Sequence, residues 1–378
     1  MGARRLPARL ADHPSVRAVL AARETARETA RGTARGTDLG ETGSGTELPP
    51  AVIDADWLRE LCLRAGADDA AAVALDHPDL AGEREHVEGA LPGARALVSL
   101  VVRMNRDDVR SAARSIANHE FHRAGELVND AARTVVRELE RAGHRAVNPS
   151  ATFPMEMDDF PGRIWVVAHK TVAVAAGLGV MGLHRNVIHP RFGSFVLLAT
   201  VLLDAEVSSY GQRLDYNPCV ECKLCVAACP VGAITKDGAF DFLACATHNY
   251  REFMAGFTDY VQTVADSADA ADFRSRVTDA ENASMWQSLA FKPNYKAAYC
   301  LAVCPAGEDV LGPYIDDRRR FMDTVLRPLQ EKRETLYVLP GSAAKEYAER
   351  RFPHKAVKEV SGGWRKPEPS KRGSAPAD

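Results

Sequence analysis

Cysteine is the residue type whose spacing in this sequence points most directly to chemistry. Of eight cysteines in 378 residues, seven lie between Cys219 and Cys304. Residues 219–230 read CVECKLCVAACP, with three cysteines two residues apart and a fourth, three residues on, before proline. Three thiolates on such a tight loop can bind three irons of one cubane, whereas zinc sites use cysteine pairs that are far apart. The spacing therefore predicts an iron–sulfur cluster.

A second and shorter motif, CLAVCP at residues 300–305, repeats the ending with cysteine before proline. In bacterial two-cluster ferredoxins the cysteine before proline ligates the other cluster. We therefore predict two 4Fe–4S clusters with crossed ligation. The first set of ligands is Cys219, Cys222, Cys225 and Cys304, and the second set contains Cys229, Cys245 and Cys300.

The second set is short of one thiolate, because Ala297 stands where a standard motif has cysteine. Three explanations remain open. His248 lies one helical turn after Cys245, and imidazole is a competent ligand of iron; otherwise it is a histidine on a helix surface. The second cluster can instead be a 3Fe–4S cluster with three thiolates. Or Cys62 folds back to it, although its place on the apolar face of a short helix favours the core.

Composition and charge limit the partners that we expect. The chain is 46% hydrophobic and 26% charged with a net charge of −3, which favours neither nucleic acid nor an anionic membrane. No apolar run approaches the roughly 20 residues of a spanning helix. The pair Arg4–Arg5 is not followed by the apolar stretch of an export signal. We therefore expect a cytoplasmic protein without a membrane partner.

Changes in composition along the chain predict five segments. Repeats such as RETA and RGTA indicate a disordered tail at 1–50, and a polar, proline-rich composition indicates another at 362–378. Between them we predict an α/β module (51–209), a double-cluster domain (210–310) with a helical insertion (246–296), and a C-terminal extension (311–361). Strands are expected at 96–102, 163–168, 195–203 and 336–339, and helices at 118–142 and 343–351. The alternation of strands and helices indicates an α+β or α/β class.

Three glycines form a G-x-G-x-x-G pattern in the segment AGLGVMG, at Gly177, Gly179 and Gly182. A dinucleotide site requires a helix after the third glycine, but Pro190 and Gly193 follow within a dozen residues. We therefore reject a nucleotide site. The glycines suit either the close approach of a large flat ligand or tight packing of chain on chain.

Several of these segments together resemble the epoxyqueuosine reductase family, which shares its core with reductive dehalogenases. They are KTVAVAAGLGVMG (170–182), Gly193-Ser194-Phe195, an apolar strand that ends at Asp204, and CVECKLCVAACPVGAI. The resemblance implies a nitroreductase-like α/β module followed by a ferredoxin-like double-cluster domain. It also implies a bound cobalamin whose cobalt receives electrons from the clusters, with the three glycines at the cofactor.

A further match concerns a proton donor. His119-Glu120-Phe121-His122 resembles the Arg-Asp-Tyr-His of epoxyqueuosine reductases, in which the aspartate is the proposed proton donor, so the resemblance places Glu120 in that role. A carboxyl group can donate a proton near neutral pH only if its surroundings raise its pKa. The alternative is that Glu120 is a first-turn carboxylate that interacts favourably with the helix dipole.

The function that we expect is an iron–sulfur oxidoreductase. It would pass electrons from reduced ferredoxin or flavodoxin through two clusters to cobalamin, and reduce an unknown small molecule. The alternative is an electron-transfer protein without substrate chemistry of its own. The family's helical-repeat domain, which helps to hold tRNA, has no counterpart after Gly307, and the chain is not basic. We therefore do not expect tRNA as a partner.

Overall fold

The structure is a computed structural model that describes residues 12–14, 16–17, 20–21, 52–157, 163–219 and 221–361. Most of the tail expected at 1–50, and all of that expected at 362–378, lies outside these residues. Val16 is an exception within the first tail, because its side chain is fully buried in the main core.

The described strands and helices alternate irregularly along the chain. The strands are β1 (Val52–Ile53), β2 (Asp69–Ala74), β3 (Ala96–Arg103), β4 (Ala146–Val147), β5 (Val180–Met181), β6 (Val187–Ile188), β7 (Val196–Leu203), β8 (Glu206–Val207), β9 (Thr335–Val338) and β10 (Ala356–Glu359). The helices are α1 (Ala55–Arg64), α2 (Arg84–Ala90), α3 (Arg106–Arg110), α4 (Arg114–Arg141), α5 (His169–Ala175), α6 (Leu224–Ala228), α7 (Phe242–Asn249), α8 (Ala255–Ala265), α9 (Ala270–Arg276), α10 (Asp279–Ala290), α11 (Tyr299–Ala302), α12 (Glu308–Asp316), α13 (Arg318–Phe321), α14 (Arg327–Glu331) and α15 (Ala343–Arg351).

The centre of the first half is a four-stranded sheet in the order β2-β3-β7-β4, and all its neighbouring strands are antiparallel. The class is therefore mixed helix and strand of the α+β type rather than an α/β sheet of parallel strands. The strand expected at residues 163–168 is absent. Arg163 instead folds back on its own segment, donating to the carbonyls of Trp165 and Val166, and pairs with the nearly buried Glu83.

Helices on both faces explain why the central strands are almost continuously apolar. Helix α4 covers one face of β3 and β7, and α5 covers the other. Along β3, Val98 and Leu100 pack in the α4 core with Val128, whereas Leu97 packs with Val172 of α5. Helix α4 begins at Arg114, four residues before the predicted start, and ends before Gly143 at φ +89°.

The second half of the chain packs onto the same core. Leu224 of α6, Tyr299 of α11 and Leu329 of α14 belong to one hydrophobic cluster with Val98 of the sheet. Helices α8, α9 and α10 form the insertion between the two cysteine motifs, and β9 and β10 pair in parallel around α15. Among the helices of the described ranges, none is long and apolar enough to cross a bilayer.

Candidate metal centres

The loop that carries the first three cysteines is tightly turned. Glu221 (φ +51°) and Lys223 (φ +54°), beside Cys222, both have left-handed backbone, which L-residues adopt only where the surroundings hold them. Asn217 fixes the start of the loop, because its Oδ1 accepts a hydrogen bond from the Cys219 amide at 2.9 Å. Lys223 is then the N-cap of α6, and Cys229 follows the last residue of that short helix.

The second motif follows the same backbone course. Ala298 is left-handed at φ +61° and is the N-cap of α11, just as Lys223 is the N-cap of α6. Cys304 then precedes proline as Cys229 does. The two short helices pack against each other. The repeat makes Ala297 the structural counterpart of Cys222.

The four thiols of the first set lie within electrostatic range of one another. Burial, together with the charges of Cys222, Cys300 and Cys219, raises the pKa of Cys225 to about 12. Burial also raises the pKa of Cys304, and the charges of Cys222 and Cys225 act in the same direction. The fold therefore brings Cys304 to a loop that is about 80 residues away in sequence.

The three thiols of the second set are gathered in the same way. Burial raises the pKa of Cys300 to about 12, and the charges of Cys245 and Cys229 add to the rise. Burial likewise raises the pKa of Cys245 to about 12, with Cys229 again contributing. The Ala233 amide donates to the Cys229 sulfur at 3.2 Å, and such N–H···S bonds are typical around cluster ligands.

The chemistry of these donor sets fits iron–sulfur clusters. Thiols with raised pKa values stay protonated at neutral pH unless a metal supplies positive charge. Among the described residues, no group of three or more His, Cys, Asp or Glu is placed to hold one metal ion. The four cysteine sulfurs that ligate a cubane each bind a different iron, so they need not surround one metal ion. The two ligand sets remain predictions, since the structure shows the grouping of the thiols and not their ligation.

His248 does not lie on the helix surface, because its side chain is only 1% exposed. Its Nδ1 accepts a hydrogen bond from the Tyr337 amide at 3.3 Å, so in the neutral ring the proton lies on Nε2. Burial lowers the pKa of His248 to about 4, which keeps the ring neutral. A protonated Nε2 cannot bind iron, and the charges acting on this ring come from Glu334 and lysines. Its Nε2 is nevertheless buried without a hydrogen-bond partner among the described residues, so His248 as the missing ligand stays a prediction.

Cys62 is a core residue, as the helical spacing of α1 predicted. Its side chain is fully buried in the main hydrophobic cluster beside Leu58. Burial raises the pKa of its thiol to about 12, and the other charge that acts on it belongs to Arg59. No cysteine is among the groups whose charges act on this thiol.

The three glycines of the G-x-G-x-x-G pattern serve chain packing in this structure. A Cβ at Gly177, which has φ +78°, would clash with the backbone of Gln212. A Cβ at Gly179 would clash with Val187 and Ile188, and one at Gly182 with Ile188 and His184. Protein atoms thus occupy the space that the missing side chains leave. The first of the two expectations, a flat ligand bound against these glycines, is therefore not supported, because no space is left for it there.

Glu120 lies in the second turn of α4, so its expected interaction with the helix dipole in the first turn is wrong. Its Oε1 accepts a hydrogen bond from the Asn105 amide at 2.6 Å, which ties α4 to the start of α3. The side chain lines an open cleft of about 690 Å³, together with Arg103, Arg106, Asp107 and Asp309. Glu120 is therefore held at the edge of a space that a substrate can reach.

Three cations close to the thiols were missed from the sequence. Arg110 is within electrostatic range of Cys304, Arg114 of Cys300, and Lys170 of both Cys300 and Cys245. Lys170 falls inside the segment that resembles a known family, but its type and spacing give no sign of a thiolate partner. The two arginines lie in a polar stretch without a motif, and only the fold brings them to the cysteines.

Comparison with known proteins supports the iron–sulfur assignment. Residues 213–235 match the 4Fe–4S binding domain family. An epoxyqueuosine reductase of Leadbetterella byssophila is 39% identical over 84 residues, which is 21% of this chain and 27% of the relative. The enzyme of that name from Synechococcus is 28% identical over 165 residues, 43% of this chain and 48% of the relative. The chain thus spans half or less of these relatives.

Solved structures with lower sequence identity include epoxyqueuosine reductases and a reductive dehalogenase. Epoxyqueuosine reductase from Streptococcus thermophilus matches with 14% identity and a TM-score of 0.40, over 72% of this chain and 79% of the other. A catabolic reductive dehalogenase matches with 16% identity and a TM-score of 0.42, over 71% and 33%. An epoxyqueuosine reductase with an epoxyqueuosine-modified tRNA stem loop matches with 17% identity and a TM-score of 0.38, over 82% and 76%.

The exclusion of tRNA as a partner, drawn from the sequence, is wrong. It relied on the absence of helical repeats after Gly307 and on a chain that is not basic. The exclusion conflicts with the relatives found by sequence, which are named epoxyqueuosine reductases. Net charge and repeats are properties of the whole chain and do not report on a local binding surface. The expected resemblance, by contrast, is confirmed: this chain carries a 4Fe–4S binding domain and is similar to epoxyqueuosine reductases in sequence.

Proposed function

We propose that this chain is a two-cluster iron–sulfur reductase. The observation that carries the proposal is the gathering of the seven thiols in one region of the protein. The division of these thiols into a set of four and a set of three is part of the proposal. Cys225 of the first set is within electrostatic range of Cys300 of the second, so clusters held by the two sets would be neighbours. Neighbouring clusters suit one-electron steps from a protein donor, for which we propose reduced ferredoxin or flavodoxin.

The acceptor of these electrons is proposed to be cobalamin, on the resemblance to epoxyqueuosine reductases alone. The glycines that the sequence suggested for the cofactor do not fit as its cradle, because protein atoms fill the space beside them. The proposal therefore names no residue of this chain that would hold cobalamin.

The substrate is proposed to be epoxyqueuosine in tRNA, after the name that the relatives carry. Removal of an epoxide oxygen as water requires two electrons and two protons. Glu120 is proposed to deliver one proton, since its carboxyl group lies at the open cleft and only its Oε1 has a hydrogen-bond partner among the described residues. The hydrogen bond from Asn105 fixes the orientation of the carboxyl group.

The proposal is tested with anaerobically reconstituted full-length protein. Iron and sulfide analysis reports the clusters, and titration with cobalamin, followed by absorbance, reports the cofactor. Turnover is measured on an epoxyqueuosine-containing tRNA stem loop with a reduced flavodoxin as donor. We expect Glu120→Gln to abolish turnover while leaving clusters and cofactor binding unchanged. Asp107→Asn, which changes another carboxylate of the same cleft, is the matched control and should retain turnover.

A different set of results would reject the reductase. Two clusters without cobalamin binding at micromolar protein, and without turnover of the stem loop, would leave an electron-transfer protein on a reductase scaffold. Zinc in place of iron would reject the clusters themselves.

A further inference from the structure

The second set of thiols lacks a sulfur donor at Ala297, the position where a fourth cysteine ligand would complete it. We call this position the fourth corner of the second cluster. The backbone from Ala297 to Cys304 repeats the course from Cys222 to Cys229, with a left-handed residue, a short helix and a cysteine before proline. Cys222 belongs to the first set of thiols. By this repeat the Ala297 side chain occupies the matching place in the second set, and its methyl group cannot bind iron.

The backbone at this corner is fixed on both sides. The Ala297 amide donates to Asn249 Oδ1 at 2.9 Å, and its carbonyl accepts from Arg114 Nη2 at 2.8 Å. Ala297 is only 8% exposed, so the corner faces the protein interior. Such a fixed backbone does not readily bring another residue to the place of the missing thiol.

The other polar groups near this set are poor substitutes for a thiolate. Lys170 donates from its ammonium to the Arg185 carbonyl at 2.9 Å and to Asn186 Oδ1 at 2.8 Å, and an ammonium has no lone pair for iron. The Nε2 of His248 carries a proton in the tautomer that its Tyr337 contact selects. Three further oxygen donors lie within electrostatic range of this set: Tyr250 of Cys245 and Cys300, Asp241 of Cys245, and Tyr347 of Cys229. Asp241 is exposed, and its Oδ1 already accepts a hydrogen bond from the Ala244 amide at the start of α7. Tyr250 is the one of the three that is within range of two of these thiols.

We propose that one iron of the second cluster has no protein ligand and binds an exchangeable small ligand, which is water or hydroxide at rest and a small anion or thiol when one is present. The inference rests on the proposed function, since it requires the second cluster. Arg114 would favour an anion at this iron, because its guanidinium is nearly buried, is within range of Cys300 and has an Nε without a partner among the described residues.

An iron without a protein ligand is the one that oxidation removes. Ferricyanide takes one electron from a [4Fe–4S]²⁺ cluster, which becomes [4Fe–4S]³⁺ and then releases Fe²⁺ to leave [3Fe–4S]⁺. Added Fe²⁺ and a one-electron reductant reverse both steps. A cluster with four cysteine ligands resists this loss because each iron is held by its own thiolate.

The test uses the reconstituted full chain and is read by paramagnetic resonance and iron analysis. With ferricyanide we expect loss of about one iron per chain and a 3Fe–4S signal from the second cluster, while the first cluster persists. Ala297→Cys supplies the missing thiolate and should abolish the loss. His248→Ala and Tyr250→Phe should lose iron just as the unchanged protein does.

Two outcomes would overturn the inference. One is a second cluster that keeps its iron in the unchanged protein and loses it in Tyr250→Phe or His248→Ala, which would identify that side chain as the ligand. The other is equal loss of iron in the unchanged protein and in Ala297→Cys, which would place the labile iron elsewhere. Failure to form any cluster would instead reject the proposed function, and iron analysis before oxidation separates the two cases.

Discussion

Arg110 is a cation between two aromatic rings at the first set of thiols. Its guanidinium carbon lies 5.1 Å from the ring centres of both Phe195 and Phe321. Its Nε donates to the Ala302 carbonyl at 3.2 Å, two residues before Cys304, and its buried Nη2 has no partner among the described residues. A positive charge here stabilises the reduced cluster, which carries one more negative charge than the oxidised cluster.

We therefore expect Arg110→Met to lower the reduction potential of the first cluster and to leave that of the second nearly unchanged. Arg110→Lys should lower it less, since the charge remains but the aromatic stacking is weaker. The measurement is a redox titration followed by paramagnetic resonance. Arg64→Met is the control, because Arg64 is exposed and pairs with Glu60 on α1. An unchanged first-cluster potential in Arg110→Met would show that this charge does not act on the cluster.

Crossed ligation gives a second prediction for single residues. Cys304→Ser should damage the cluster bound by Cys219, Cys222 and Cys225, because the thiol of Cys304 is gathered with theirs. Cys300→Ser should damage the other cluster. Paramagnetic resonance of the reduced proteins distinguishes the two signals. If Cys304→Ser altered only the signal that Cys300→Ser alters, the assignment of ligands to sets would be wrong.

At the scale of elements, the sequence predicted well those helices and strands whose bounds depend only on neighbouring residues. The helix at 343–351 was placed correctly, and β3 and β7 were placed within one residue. The two strands are short, nearly continuous apolar runs, which is the pattern of strands that are buried on both faces. Helix α4 was predicted to begin too late. Its first turns bury polar side chains, and Arg114 and Asn118 reach carbonyls at Ala297 and Tyr295 that are distant in sequence. No local pattern contains such contacts.

The same reasoning explains the remaining misses. Residues 163–168 are apolar enough for a strand, but Arg163 and Glu83 hold them in an irregular segment. The antiparallel order of the sheet depends on pairings across the whole first half, which alternation of elements does not determine. At the candidate site, the position of the cysteines in the sequence led to the two ligand sets, which stay predictions. The cations beside them depend on how α3, α4 and α5 pack against the cysteine motifs.

The turn between β6 and β7 provides a prediction at this scale. Gly193 has φ +65°, and a Cβ there would clash with the carbonyl of Ala306, just after Cys304 and its proline. Gly193→Ala should therefore destabilise the protein by about 1–3 kcal/mol and weaken retention of the first cluster. Urea unfolding and iron content measure these effects.

The matched control for that change is Gly89→Ala. Gly89 lies in α2, and a Cβ there would meet no atom within 4 Å. Alanine favours a helix, so this change should stabilise the protein by up to about 1 kcal/mol. A Gly193→Ala protein as stable as the unchanged protein would show that the turn can move away from the segment after Cys304.

At the scale of the whole molecule, the sheet and the cysteine motifs share one hydrophobic core. Val98 and Leu100 of β3, Leu224 of α6 and Tyr299 of α11 are all nearly fully buried in the same cluster. Unfolding of the cysteine motifs would therefore expose apolar surface of the sheet as well. The two halves should unfold together, even though they differ in fold and in the chemistry that they carry.

Removal of the clusters should consequently destabilise the whole chain in one step. Without iron, the thiols of both sets become neutral groups around a space that no side chain fills, and α6 and α11 lose the bonds that hold their ends. We expect the iron-free protein to have a lower Tm than the reconstituted protein, with one transition seen alike by far-UV circular dichroism and by tryptophan fluorescence. Trp57, on α1 beside the sheet, and Trp165, beside His169 of α5, report the half without cysteine motifs, and Trp286 reports the insertion. A Trp286→Phe variant removes the signal of the insertion and should melt at the same temperature in both measurements. Two separate transitions, with the signal of Trp57 unchanged by loss of iron, would show that the cysteine motifs and the sheet are stabilised independently.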